Sequence, residues 1–239
     1  MARREIAVSR WLASNGLRAV RALDDFTQPT VVDGHPVSWW ELLPAHRTGT
    51  PEELGLVLRD LHRIPTPRGL GLPPFHPVNE TWTEAFRSPS LSCDNREWVQ
   101  RQADELTGRY LETEFDSVTG IHGDAWQGNL AVSTSLQPVL LDFEEFCIGP
   151  TDWDLIPIAV DYTHFSRISE SEYRSFAEAY GLDVTHRPYY GLLAGIQLMR
   201  WTSFVINRAA YDDAAAEEAA YRISCLRGEV TRPWRWSAF

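Results

Sequence analysis

The chain has 239 residues (27.2 kDa), with 22 basic side chains against 33 acidic ones and a formal net charge of -11. Such an acidic balance speaks against nucleic acid or an anionic membrane as the main partner, because phosphate-bearing surfaces are bound by basic ones. No apolar run reaches the length of a bilayer span, and hydrophobic and charged fractions of 44% and 23% are those of a globular chain able to bury a substantial core.

In chain order, Arg3 to Ser14 reads as a helix, with an apolar stretch interrupted by Arg10 and no small-residue cleavage site. A secretory signal is not expected, and a cytoplasmic protein is. Arg18 to Ala22 and Thr30 to Trp40 read as strands of a small sheet. Pro51 to His62 places Leu54, Leu58 and Leu61 at helical spacing. The five prolines between Pro65 and Pro77 mark a loop, either a surface connection or a wall of a substrate cleft. Asn95 to Phe115 is a predicted helix carrying Trp98, Leu106 and Tyr110. Val118 to Ile121, Leu130 to Val132 and Pro138 to Leu141 are apolar runs of strand length. Ser169 to Tyr180, Tyr189 to Arg208 and Asp212 to Gly228 then follow helical patterns. Cys93, Cys147 and Cys225 lack metal-site spacing and are expected to be reduced and buried. The ten tryptophans are spread along the chain, so core packing is their default role.

The densest chemistry lies between Ile121 and Asp154. Asp124 ends one apolar run, Asn129 follows five residues later, and the strand at Pro138 to Leu141 delivers Asp142. In ATP-dependent kinases an Asp accepts the substrate hydroxyl proton, an Asn five residues on holds Mg²⁺, and a later Asp bridges the metal to the phosphates. Hard oxygen donors suit Mg²⁺, which takes one or two protein carboxylates and fills its remaining positions with phosphate and water. Asp124 is therefore the candidate catalytic base, with Asn129 and Asp142 the candidate metal ligands.

With its His122-Gly123-Asp124 and Asn129 loop, Leu141-Asp142-Phe143, Gly149-Pro150 and Asp152-Trp153-Asp154-Leu155, the chain resembles the aminoglycoside phosphotransferase family. Leu58 to His62 is similar to a further helix of that family. The resemblance is specific over residues 50 to 165 and implies an α+β, protein-kinase-like fold. Residues 1–44 would form a remnant of the antiparallel nucleotide lobe, and residues 45–239 a mostly helical C-terminal lobe. It further implies ATP (or GTP) and Mg²⁺ as cofactors. The interlobe hinge, with Glu41 and Leu43, would meet the nucleotide, while His122 and Asp154 would support the loop. The acceptor would be a hydroxylated small molecule, often cationic, met by Glu144, Glu145, Asp161 and Trp201. The family also carries a Gly-rich loop and a strand lysine that grips phosphate. This chain has no lysine, and Glu5 is its only candidate for the helix glutamate that such a lysine would pair with. The expectation is thus a small-molecule O-phosphotransferase with a truncated nucleotide lobe. A kinase-like binding or regulatory protein without turnover is the alternative. A metal-dependent hydrolase is a third reading, for which one hairpin offers few ligands.

Overall fold

A computed structural model of the chain describes residues 2–66, 69–134 and 137–239. In chain order the elements are α1 (Ala2–Ser14), β1 (Thr30–Val32), β2 (His35–Val37), β3 (His46–Thr48), α2 (Pro51–Arg63), α3 (Glu80–Ala85), α4 (Cys93–Glu112), β4 (Val118–Ile121), β5 (Leu130–Ser133), β6 (Pro138–Leu140), β7 (Cys147–Pro150), α5 (Ile156–Val160), α6 (Glu170–Tyr180), α7 (Tyr190–Arg208) and α8 (Asp213–Leu226). This is the α+β composition expected, helix-rich with small antiparallel sheets. Contacts divide the chain into two compact units. The first takes the described residues up to Phe75 together with Phe115–Ile158 and Glu170–Val184, and the second takes His76–Glu114, Ala159–Ser169 and Thr185–Phe239.

In the first unit, β5 is the centre of a three-stranded antiparallel sheet in the order β3-β5-β6, and β4 pairs with β7 in a separate ladder. Each predicted strand around Asp124 therefore forms. The expected strand Arg18 to Ala22 is reduced to single bridges, Ala19 to Leu140 and Ala22 to Trp40. The stretch Thr30 to Trp40 is broken by Asp33 and Gly34, whose φ values of +49° and +81° fold it into the β1-β2 hairpin. Asp-Gly between two short β-prone runs is the sequence signature of such a turn.

Helix α2 begins at a capping box, in which Thr50 accepts from the Glu53 N–H while the Glu53 side chain accepts from the Thr50 N–H. Its apolar face buries Leu54, Leu58 and Leu61. On α6 the backbone approaches Gly55 so closely that an added Cβ would sit 2.6 Å from the Phe176 carbonyl oxygen. Arg59 closes this contact by donating to Ala179 O at 3.0 Å.

The second unit is helical. The short α3, capped by Asn79 and unmarked by any periodic pattern, packs on α7, as does α4. The latter runs Cys93–Glu112, ends three residues before the predicted Phe115 and has Thr113 as its C-cap. Trp234 and Trp236 are buried and stacked at 5.7 Å, and Arg222 donates to Ser237 O, so the basic, aromatic tail belongs to this unit's packing. Cys147 and Cys225 are buried free thiols, but Cys93 is exposed because it occupies the first turn of α4, outside the apolar face formed by Val99, Ala103 and Leu106. Among the described residues, no helix is long and apolar enough to cross a membrane.

Candidate active site

The site is built wholly in the first unit, where β4 ends and the chain turns through His122, Gly123 and Asp124. Gly123 has φ +87°, and a Cβ there would lie 2.2 Å from the Glu145 carbonyl oxygen. Only glycine allows both the left-handed turn and that approach. The turn is held from beneath by Asp154, which has no exposed surface. Its carboxylate accepts the His122 N–H at 2.7 Å and the Gly123 N–H at 2.9 Å, and meets His62 Nε2 at 3.0 Å. His62 Nδ1 in turn meets the Tyr180 hydroxyl at 2.9 Å. Trp153 Nε1 donates to Gly123 O at 2.8 Å. His122 bridges the two halves of the hairpin: its Nε2–H donates to Leu141 O at 2.8 Å, and its Nδ1 accepts from the Asp124 N–H at 3.3 Å. A single neutral tautomer satisfies both bonds.

This scaffold leaves the Asp124 side chain at the loop's tip. The Asn129 amide NH₂ donates to Asp124 O at 2.8 Å and Asp124 Oδ2 at 3.3 Å. Burial raises the Asp124 pKa above the ordinary carboxylate value. Asp142 and Glu145 push the same way, while the Asn129 amide opposes them. Asp142 is exposed and sits at φ +58°, a left-handed position that Asp tolerates better than most side chains. The next residues, Phe143 and Phe146, are buried and anchor the turn that presents it.

The donor chemistry fits a hard cation. Asn129 spends its NH₂ on Asp124, which leaves the amide oxygen for a metal, and Asp142 adds a carboxylate. Among the described residues, no three His, Cys, Asp or Glu side chains cluster closely enough to enclose an ion. A cavity of about 260 Å³ opens beside Asp142, bounded by Glu5, Val20, Trp40, Leu141 and Phe143.

The model of APH, the phosphotransferase enzyme family, matches residues 2–193. The chain belongs to this family. No curated individual protein matches the sequence of this family member, but solved structures share its fold. Choline kinase LicA from Streptococcus pneumoniae is 15% identical, with 94% of this chain and 81% of that one covered at a TM-score of 0.66. The spectinomycin phosphotransferase APH(9)-Ia, solved with ADP and spectinomycin, is 13% identical over 97% and 79% at 0.64. Amicoumacin kinase hAmiN, solved with AMP-PNP, Ca²⁺ and Ami, is 12% identical over 95% and 77% at 0.73. The expected protein-kinase-like fold is thereby established.

The other predicted positions of this phosphotransferase-family chain fall as follows. Glu144 and Glu145 lie exposed in the turn after Asp142. Glu41 donates its N–H to Arg21 O at 2.8 Å and pairs with the Arg21 side chain at 3.6 Å, and Leu43 is half-buried two residues on. Asp161 and Trp201 belong to the second unit. There Asp161 is engaged by Arg167, whose Nη1 donates to Oδ1 at 2.9 Å, and burial raises its pKa against that pairing. Trp201 packs its ring 6.2 Å from Phe165. Sequence reasoning assigned no role to His62 and Trp153. Both lie in segments that resemble the family, but their contacts with the loop bring together distant positions in the chain, which a motif does not show.

Proposed function

We propose that this chain transfers the γ-phosphoryl group of ATP or GTP to the hydroxyl of a small molecule, with cationic hydroxylated compounds, including aminoglycosides, as the first class to screen. The observation that carries the reading is Asp124: a carboxylate with raised pKa, presented at the tip of a turn whose backbone is locked from below. A locked base with increased proton affinity is suited to orient an acceptor hydroxyl and take its proton. The Asn129 amide holds Asp124 in place, while the Asn129 oxygen and the Asp142 carboxylate are the groups that would hold Mg²⁺. When bound, that ion would neutralise charge on the phosphates. We assign part of the nucleotide to the cavity beside Asp142 and its base to the backbone of Glu41 to Leu43.

Calorimetry with ATP or GTP, with and without Mg²⁺, tests nucleotide binding. Mg²⁺-dependent binding is expected in the wild type and its loss in Asp142→Ala. Asp124→Asn is expected to lower transfer by about 10²- to 10⁴-fold while leaving the fold intact. Wild-type-like turnover in that variant would overturn the assignment.

One observation favours a binding or regulatory protein instead. Glu5 has Glu144 and Asp142 as charged neighbours, and its pKa is raised, first by burial and then by those two carboxylates, although Arg4 opposes them. A glutamate in this setting lacks the lysine that would hold it ionised. Nucleotide binding with no transfer to any hydroxylated acceptor would establish this second reading.

A further inference from the structure

The second unit contains a half-open cavity of about 500 Å³ lined by none of the residues assigned to phosphotransfer. That volume lies within the range of small-molecule sites, roughly 300–1,000 Å³. It exists because one face of α7 is small: Gly191, Ala194 and Gly195 are followed by Leu198 at helical spacing, opposite Trp98 and Leu106 of α4. A Cβ added at Gly191 would meet nothing within 4 Å.

The polar groups on the wall define what the space would hold. Arg109 and Arg232 both line it. Arg109 makes only a loose 3.7 Å contact with Glu105, and among the described residues no carboxylate pairs with Arg232, whose guanidinium lies 5.1 Å from the Trp234 ring centre. His164, 5% exposed, lines the same space. Thr163 Oγ1 donates to Ala159 O at 2.7 Å, so it must accept from His164 Nδ1 at 2.8 Å and from the Tyr190 hydroxyl at 2.6 Å. With the Thr163 proton on Ala159 O, whose 2.7 Å contact is much shorter than the 3.5 Å from the Tyr190 hydroxyl to the same oxygen, the histidine proton is assigned to Nδ1 and Nε2 is left as an acceptor. Burial and the nearby Arg232 charge hold the His164 pKa down to about 4, so the ring stays neutral at physiological pH.

We propose that this cavity is a second small-molecule site, taking an aromatic anion that also carries a hydrogen-bond donor. The aromatic body fills the space left open by Gly191 and packs against Trp98, Leu106 and Trp234. Arg232 and Arg109 meet the negative group, and His164 Nε2 accepts the ligand's N–H or O–H.

Fluorescence titration with 8-anilinonaphthalene-1-sulfonate, an aromatic anion with an N–H donor, tests the site. Its uncharged counterpart N-phenyl-1-naphthylamine is the control. The sulfonate is expected to bind the full chain saturably at one site and more tightly than the control. Gly191→Leu, which fills the open space, should weaken both probes at least tenfold with an unchanged or higher Tm. Should that variant fail to fold, Gly191→Met fills the same space with a more flexible side chain. Arg232→Gln should weaken the sulfonate about tenfold and leave the control unchanged. Multiple unsaturable sites, undiminished binding in the Gly191 variant, or equal affinity for both probes would overturn the proposal.

Discussion

Two carboxylates in the first unit hold backbone in the same manner and differ in their access to water. Asp154, with no exposed surface, accepts the N–H groups of His122 and Gly123 and meets His62. Glu53, at the start of α2, accepts the Thr50 N–H at 2.8 Å and the two arms of Arg47 at 2.7 and 2.8 Å. Its side chain is 23% exposed and that of Arg47 49%. Water can replace what Glu53 offers but has no access to the donors around Asp154. The number of hydrogen bonds is similar, so burial decides the cost of losing each latch. Tight local structure at the site thus comes from a group placed out of reach of solvent, and the periphery makes do with a screened equivalent.

The largest effect expected from this contrast is that of Asp154→Ala. Two buried N–H groups and His62 would lose their acceptor together, at a cost of about 3–5 kcal/mol in urea unfolding. Turnover should fall with it, because the Asp124 loop would no longer be held in place; a small misplacement of a catalytic group can cost about 10²-fold. A stability loss below about 1 kcal/mol would break the comparison, since it would mean that water reaches the loop backbone after all. Glu53→Ala removes a capping interaction and an ion pair that are both partly solvated, and about 1 kcal/mol is expected by the same measurement.

The two latches were also unequally legible in the sequence. Thr50 followed by Glu53 is a capping-box pattern readable within four residues of chain, and the long helices α2, α6, α7 and α8 follow from spacing with ends displaced by only a residue or two. The sequence positions of Asp124, Asn129 and Asp142 follow from a motif because the hairpin that carries them is continuous in the chain. The roles of His62 and Trp153 do not, although both sit in segments that resemble the family, because their contacts with the loop exist only after α2 and the turn after β7 have packed beneath β4. The hairpin at Asp33-Gly34 had a local signal in its turn dipeptide, whereas the six-residue α3 is too short for periodicity to register. The cavity on α7 escapes pattern reading for another reason: Gly191 is one more glycine in one dimension and an open space only in three.

The smallest expected effect sharpens the contrast most directly, because it isolates the charge of Glu53 from its packing. The Arg47 fork, more than any other contact, holds the Glu53 pKa down to about 2, below the ordinary glutamate value of 4.5. A carboxylate whose folded pKa is depressed contributes stability above its unfolded pKa and loses it as pH falls toward the folded one. The contribution is therefore complete above pH 4.5 and disappears progressively toward pH 2. Because both side chains are partly in water, solvent and salt screen the pair, and the portion at stake is about 1 kcal/mol or less. Unfolding wild type and Glu53→Gln side by side between pH 7 and pH 3 cancels the other titrating groups. Their stability difference should shrink below pH 4.5, and added salt should reduce it at neutral pH. A difference that stays constant across the range would assign the Glu53 latch to neutral hydrogen bonding and packing, and would leave burial alone, without ionisation, as what separates it from Asp154.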